Sequence, residues 1–313
     1  MYRINVLIVT YKQADLIGRN IESILQQKEY GLNKIVICDD HSPDNNWEVI
    51  QSYKERYPGY ITAYRNNTNL GIYGNSNKLV TLRGEADFYC WLEGDDALCD
   101  GFFKAAQEHL KTIDVDNKKP FAIMSNFVIR RQDKEDVVDT RNSIVVNNKK
   151  WFGLYIRGLV SWRSSLFSAG VMDRFQPAIL DQGLSLAESS FDNQFFRSLE
   201  EVFYIPVTGS VYYAGIGVSV NLTDEKTAYK TTEGIIQWEY YIKHLVKRRD
   251  DICWCKANMQ RSSFLLNPGL SKFLRMFFNF VAGYFFTYGF SRRVVLSFWR
   301  PVIRRMKVYG KKA

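Results

Sequence analysis

Hydrophobic positions in the first part of the chain alternate between two periods. Ile4-Asn5-Val6-Leu7-Ile8-Val9-Thr10 is a short β-branched run of the kind that forms a central strand buried on both faces. After Tyr11-Lys12-Gln13-Ala14, Asp15 is positioned to cap a helix whose apolar face is Ile17, Ile21, Ile24 and Leu25. Lys34-Ile35-Val36-Ile37-Cys38 repeats the strand pattern and stops at Asp39-Asp40. Ser42-Pro43-Asp44 reads as a helix start leading into Trp47 to Tyr57, and a third strand is expected at Tyr60 to Tyr64. A polar loop, Asn66 to Asn77, leads into a helix through Leu82; a strand from Asp87 to Leu92 and a helix from Gly101 to Thr112 follow. Repeated strand and helix predict an α/β doubly wound fold with a parallel sheet, and ligands at the carboxyl ends of its strands.

Further along, Phe121 to Asn126 reads as a strand and Arg130 to Lys150 as a hairpin or mobile loop. A second organised region begins at Gly158 to Val171, followed by a helix from Leu184 to Leu199 and strand material from Val202 to Tyr213. Pro206 marks an edge or a break in that strand. Gly215 to Ser219 reads as a turn and Thr231 to Val246 as a helix. The expected organisation is in three parts, residues 1–115, 116–230 and 231–313.

The last part differs in kind. Leu274 to Phe290 is mostly apolar, with Lys272 and Arg275 near its start and Arg292-Arg293 after it. The run falls short of the roughly 20 residues of a membrane span and contains Asn279 and Gly283. Aromatics interleaved with cations predict amphipathic helices lying in an anionic membrane surface; the alternative is packing on the rest of the protein or on a partner subunit. Charge sharpens this picture. From Ile252 onward there are 12 Lys and Arg and no Asp or Glu, so the net charge of +9 arises there, leaving 30 basic against 33 acidic residues in the first 251. That distribution argues against a nucleic-acid binder with a broad basic face. Five cysteines in no disulfide-like or zinc-like pattern suit a reducing, cytoplasmic setting. The N-terminus enters a strand at once, without the pattern of a signal peptide.

The chemistry concentrates at Trp91-Leu92-Glu93-Gly94-Asp95-Asp96, where a buried-type strand ends in three carboxylates around one glycine. Unpaired buried carboxylates cost several kcal/mol, so such a cluster wants a cation, and oxygen ligands suit Mg²⁺ or Mn²⁺. An acidic turn capping the next helix is the alternative. Thr10-Tyr11, Asp39-Asp40 and Glu93 to Asp96 all fall on the same predicted sheet edge, which favours a ligand site.

Val9-Thr10-Tyr11, Asp39-Asp40-His41-Ser42-Pro43-Asp44, Asn69-Leu70-Gly71-Ile72-Tyr73-Gly74-Asn75-Ser76-Asn77 and Leu92-Glu93-Gly94-Asp95-Asp96, in this order and spacing, resemble the family 2 inverting glycosyltransferases of GT-A fold. The similarity covers roughly residues 3 to 215, and the C-terminal third has a general likeness to enzymes of bacterial surface polysaccharides (O-antigen, capsule, core). It implies a GT-A domain made of a nucleotide-sugar-binding half, 1–115, and an acceptor-binding half, 116–230, with 231–313 as a helical, membrane-associating extension. By the resemblance, Asp95 and Asp96 hold Mn²⁺ or Mg²⁺ and the donor diphosphate; Glu93 stands where the family has the first Asp of Asp-x-Asp, nearer the ribose. Asp40, with Asp39, resembles the acid that reads the uracil, Tyr11 after Thr10 the ring that stacks on it, and Asn69, Gly71 and Asn77 belong to a loop approaching the nucleotide. The resemblance implies an Asp as the inverting base, which Asp192 in Phe191-Asp192-Asn193-Gln194-Phe195-Phe196 fits, with Glu188 as second candidate and Trp162, Arg163 and His41 as lesser ones.

The expected protein is a metal-assisted glycosyltransferase moving a sugar from a UDP- or dTDP-activated donor to a lipid-linked glycan, peripheral on the inner face of the cell membrane, with no nucleic acid as partner. A nucleotidyltransferase-like protein of similar fold is one rival, although the loop after the first strand lacks the glycines such a site uses. A non-catalytic nucleotide-sugar-binding protein is the other.

Overall fold

The computed structural model describes residues 1–131, 134–138, 151–215, 224–284 and 292–309. They cluster into two compact units: residues 1–152, 160–178 and 191–221, and residues 153–159, 179–190 and 222–313.

The strand and helix alternation of the first hundred residues is realised. β1 (Ile4–Thr10), β2 (Leu32–Asp39), β3 (Ile61–Arg65) and β4 (Phe88–Glu93) alternate with α1 (Ala14–Leu25), α2 (Asn46–Arg56) and α3 (Gly71–Thr81). These four strands lie side by side in the order β3-β2-β1-β4, every pair parallel. Ile4, Val6, Leu7 and Ile8 are fully buried, as are Ile17, Ile21 and Ile24 on the inner face of α1. That packing is what a β-branched strand and an apolar helix stripe dictate.

Two local expectations are corrected. Asp15 does not cap α1: it sits exposed in the first turn, where its charge suits the helix dipole, while the Ala14 N–H donates to Asp44 Oδ2 at 3.2 Å. The stretch from Asn66 to Asn77 is not all loop, because α3 begins at Gly71. Asn69 Oδ1 accepts the Gly71 N–H at 3.0 Å, and Gly71 takes the left-handed φ of +74° that lets the chain turn into the helix.

Beyond β4 the sheet becomes mixed. β5 (Ala97–Leu98) and α4 (Phe102–Leu110) are followed by β6 (Phe121–Arg130), β7 (Glu135–Val138), α5 (Trp151–Ile156), β8 (Ser165–Ser168) and α6 (Ala169–Met172). α7 (Leu184–Asp192) and the short α8 (Gln194–Arg197) precede β9 (Glu201–Tyr213), so the expected helix from Leu184 is interrupted at Asn193. β7 makes the expected hairpin with β6; residues 139–150 and most of the turn expected at Gly215 to Ser219 lie outside the described residues. Pro206 is a break inside β9: Met124 of β6 faces Tyr204 and Asn126 faces Thr208, a register jump over a residue with no N–H to pair.

The spatial order ends β4-β8-β6-β9-β5. β4 and β5 are therefore four places apart in the sheet but joined by three residues, Gly94 to Asp96, which reach only about 10 Å. A flat sheet would separate them by about 19 Å. The sheet curls, and the acidic turn is the short link that closes the curl.

The second unit is helical, with α9 (Asp224–Tyr240), a π-type turn (Tyr241–Leu245), α10 (Arg249–Leu266), α11 (Leu270–Tyr284) and α12 (Arg292–Tyr309). Trp254 packs against Phe280, Tyr284 and Phe298 at ring separations of 5.8, 5.7 and 5.7 Å. Gly283 has no side chain because the backbone of Trp254 occupies that space. Arg157, its side chain fully buried, donates to Asp251 Oδ1 (2.6 Å) and to the carbonyls of Gly153, Asp250 and Gly283. No described helix is long and apolar enough to cross a membrane.

Removing one member of a buried charge pair strands the other. Asp251→Ala is expected to destabilise the helical unit by about 3–5 kcal/mol in chemical denaturation. Lys243→Ala, which breaks only the exposed pair with Glu239, should change stability by less than about 1 kcal/mol.

Candidate active site

The carboxyl edge of β1, β2 and β4 carries two groups of functional side chains. The first is the acidic turn. Glu93, Asp95 and Asp96 present carboxylate oxygens that all lie within 4.8 Å of one another. Their backbone is fixed from α1: Arg19 Nη2 donates to the Asp95 carbonyl (2.6 Å), and Asn20 Nδ2 donates to the carbonyls of Glu93 (2.8 Å) and Asp96 (3.0 Å). These contacts fix the backbone of the turn, with Glu93 and Asp95 half-buried and Asp96 buried. Gly94 is required here, because a Cβ would run into Gln13 Oε1 and sit 3.0 Å from Thr10 Cβ. Asp96 Oδ1 accepts the Tyr213 N–H at 3.1 Å, and the Arg19 guanidinium stacks 3.7 Å from the Tyr213 ring.

Arg163 supplies the positive charge. Its Nη2 lies 2.9 Å from Glu93 Oε2 and its Nε 3.7 Å from Asp96 Oδ2. β8 pairs antiparallel with β4, Phe88 opposite Ser168 and Tyr89 opposite Phe167, and the chain leading into β8 carries Arg163 to the end of β4 where Glu93 lies. Burial, followed by the charge of Glu93, pushes Asp95 up to about 6; the same two causes push Asp96 up to about 8. For Arg163, burial alone would lower the pKa, but Glu93, Asp96 and Tyr212 outweigh it and the shift is upward. Buried atoms without a hydrogen-bond partner ring the turn: Gln13 Oε1, Arg19 Nε, Asn20 Oδ1 and Arg163 Nε.

A divalent ion fits this donor set. Three hard oxygen ligands on one turn match Mg²⁺ or Mn²⁺, which take few carboxylates and complete their shells with water or phosphate. The orphaned polar atoms beside the turn mark a place prepared for more than protein.

The second group separates the roles of the paired acids. Asp39 is fully buried and committed to structure: it accepts the Ser42 N–H (3.1 Å), the Ser42 hydroxyl and Asn46 Nδ2 (2.7 Å), and pairs with Arg65 at 3.4 Å. It builds the turn into α2. Asp40 takes its hydrogen bonds on one oxygen, Oδ1, from Asn66 Nδ2 and the Leu70 N–H, each at 2.8 Å. Thr10 turns its hydroxyl inward to Asn46. Asn69 lies exposed over this edge, with Nδ2 3.2 Å from the Asp40 carbonyl, and Tyr11 is half-buried at the end of β1. Asn77 binds the backbone of Ala178 with both ends of its amide. Lys12, His41 and Ser164, in loops flanking β1, β2 and β8, all hold left-handed φ values, +54°, +57° and +56°. Such strain persists only where the surroundings enforce it, and it gathers at functional sites.

Asp192 is half-buried at the end of α7. Its neighbour Phe191 packs on the Trp91 ring at 4.9 Å, and also meets Tyr73 and Phe175. Trp91 is two residues before Glu93 on β4, so the aromatic cluster ties the segment carrying Asp192 to the strand that carries the acids. Glu188, exposed on the same helix, belongs to the second unit. Arg19, Asn20 and Tyr213 were not anticipated from sequence; each reaches the turn from a distant element, and only the polar Arg19-Asn20 pair inside an apolar helix pattern hints at it.

A curled, mostly parallel α/β sheet with a carboxylate trio at the end of its fourth parallel strand is the GT-A architecture. Residues 5–155, just under half of the chain, match the family model described as Glycosyl transferase family 2. It is 30% identical over 96 residues to the UDP-Glc:alpha-D-GlcNAc-diphosphoundecaprenol beta-1,3-glucosyltransferase WfaP of Escherichia coli, covering 31% of this chain and 36% of that protein. It is 31% identical over 109 residues to the abequosyltransferase RfbV of Salmonella typhimurium, covering 34% of this chain and 32% of the relative. Among solved structures, Staphylococcus aureus TarS 1-349 matches with a TM-score of 0.60 and 11% identity over 90% of this chain and 80% of that one; it has also been solved with UDP-GlcNAc. The Pyrobaculum calidifontis mannosyltransferase PcManGT, in complex with GDP-Man and Mn²⁺, matches with a TM-score of 0.56 and 12% identity over 97% and 86%. At those identities the structures establish the shared fold.

The raised carboxylates carry a pH signature. A carboxyl whose folded pKa lies above its unfolded value near 3.9 keeps a proton that the unfolded chain releases, so stability falls as pH rises through the folded values. With EDTA present, the melting temperature should fall between about pH 5 and pH 8, through the values of about 6 and 8 at Asp95 and Asp96. Asp96→Asn should flatten the upper part of that slope. Thermal melts across the range read both outcomes.

Proposed function

We propose that the protein is an inverting glycosyltransferase that moves a sugar from a UDP- or dTDP-activated donor to a hydroxyl of a lipid-linked bacterial glycan. The observation that carries the reading is the acidic turn: three carboxylates within 4.8 Å of one another on a backbone fixed by Arg19 and Asn20, on the same sheet edge as Asp40. Named relatives support it. WfaP is named for a UDP-glucose donor and a diphosphoundecaprenol-linked acceptor, and RfbV as an abequosyltransferase.

In this reading Asp40, whose Oδ1 is occupied by Asn66 and Leu70, uses its other oxygen to accept a base N–H, while Tyr11 stacks on the base. Asp95 and Asp96 hold a divalent ion, with Glu93 beside the ribose. When bound, that ion neutralises the diphosphate as a Lewis acid. The chain's own contribution to the chemistry is the base. Asp192 takes the acceptor hydroxyl proton as that oxygen attacks the anomeric carbon; the bond to the diphosphate oxygen breaks with its electron pair on the leaving group, and the anomeric configuration inverts.

The C-terminal helices supply access to the lipid-linked acceptor. Leu270, Leu274, Phe277 and Phe278 of α11 are 74%, 44%, 43% and 65% exposed, at helical spacing on one side. Phe277 meets Trp299 of α12, and α12 adds exposed Ile303 and Met306 among Arg300 and Arg304. An apolar stripe rimmed by cations and free of acids suits the surface of an anionic bilayer. The protein thereby works as a peripheral enzyme on the cytoplasmic face of the membrane.

Two measurements test these assignments. With Mn²⁺ and a panel of UDP- and dTDP-sugars, wild type should release nucleoside diphosphate, and Asp192→Asn should lower kcat about 10²–10⁴-fold with donor binding retained. A normal rate in Asp192→Asn together with a lost one in Glu188→Gln would move the base to Glu188; no turnover with any donor would sink the reading. In liposome flotation, wild type should rise with anionic vesicles, and the triple change Leu274→Ser, Phe277→Ser, Phe278→Ser should leave the protein at the bottom. If the triple variant floats as before, the stripe is not the membrane face.

A further inference from the structure

Two shielded arginines in this protein are held in opposite ways. Arg157, wholly buried, spends its guanidinium on Asp251 and three backbone carbonyls, the pattern of a permanent structural ion. Arg163 is 23% exposed, pairs with Glu93 and more distantly with Asp96, and leaves Nε without a hydrogen-bond acceptor. Its guanidinium lies between the rings of Trp162 (4.5 Å) and Tyr212 (4.4 Å), a slot that holds a planar cation without fixing its hydrogen bonds. The next residue, Ser164, has the left-handed φ of +56°, so the backbone is strained at the point that sends this side chain to the turn.

We propose that Arg163 is a built-in counter-cation of the acidic turn, and that a divalent ion binds there by exchanging with it. This rests on the reading of Glu93, Asp95 and Asp96 as a metal-holding cluster. The guanidinium pairs with two of the three carboxylates that such an ion needs, and a second cation added beside it would be repelled at close range. Without the ion, Arg163 offsets the mutual repulsion of the acids and keeps the turn assembled. With the ion present, the five donors of the guanidinium fork are released. The anionic groups nearest to hand are then the phosphates of the donor, which a planar fork binds in pairs. Metal alone therefore binds weakly, and the diphosphate that draws Arg163 away strengthens it.

The experiment titrates Mn²⁺ alone, with no nucleotide, into the full-length protein and reads free Mn²⁺ by electron paramagnetic resonance. The proteins compared are wild type, R163Q and R163M, the last keeping an apolar stem between the two rings if R163Q folds poorly. Exchange predicts that both variants bind Mn²⁺ about tenfold tighter than wild type or more. It also predicts that Mn²⁺ raises their melting temperature further than it raises that of wild type. Equal or weaker binding in a folded variant overturns the exchange alone. No Mn²⁺ binding in any of the three overturns both the exchange and the metal-holding reading beneath it. Because neither donor nor turnover enters the measurement, its outcome is independent of which sugar is transferred.

Discussion

Three carboxylates that share a space 4.8 Å across set the terms for everything around them. At an effective dielectric near 20, two full charges at that distance repel by about 3–4 kcal/mol. A typical hydrogen bond to the turn's backbone returns only about 0.5–1.5 kcal/mol net. The three carbonyl contacts from Arg19 and Asn20 therefore cannot by themselves hold three ionised acids in place. The site needs protons, an internal cation or an external one. The upward pKa shifts of Asp95 and Asp96 are the first solution and the Arg163 pair is the second. The short link between β4 and β5 forces the choice, because closing the curl in three residues leaves the acids no room to spread.

The paired acids at the end of β2 resolve their own charge problem by division. Asp39 and Asp40 are adjacent and both buried, yet they point into different networks. Asp39 is neutralised by Arg65 and hydrogen-bonded by Ser42 and Asn46, which makes it part of the α2 entry. Asp40 receives only neutral donors, on one oxygen, and retains acceptor capacity. Adjacent strand residues face opposite ways, so a doubled acid at a strand end serves two sides of the sheet at once. Of the two, Asp39 is thereby the structural acid, and Asp40 takes both of its side-chain hydrogen bonds on Oδ1 alone.

How far the sequence carries follows from the same geometry. The parallel half of the sheet was legible, because β1, the end of β2 and β4 are apolar runs and α1 carries a clear apolar stripe. The acidic turn was legible too, since three acids closing a buried strand violate the pattern around them. What could not be read was anything fixed by tertiary register. Arg163 meets Glu93 because the chain entering β8, which runs antiparallel to β4, passes the end of that strand, and no spacing within residues 158–171 announces that partner. Asn77 looked like a loop residue, yet it lies within α3 and grips Ala178 from there. The capping of α1 failed for a related reason: Asp44, thirty residues away, supplies what the adjacent Asp15 was expected to give.

The C-terminal helices looked ambiguous in sequence because α11 is apolar on nearly every side, which fits a span, a core helix or an interfacial one. The structure divides that circumference. Met276, Phe280 and Tyr284 are buried, with Phe280 and Tyr284 packed on Trp254, and this inner face is enough to fold the unit around α10. The core makes no use of Phe278 or Leu270, which stand 65% and 74% exposed. Burying such side chains is worth about 1.5–3 kcal/mol each, so a stripe of four left in water forgoes several kcal/mol. A helix that needed only to pack inward would have carried polar residues there, as α9 does with Lys243 just beyond it. The exposed stripe and the absence of acids after Asp251 give this segment an apolar face among positive charges only.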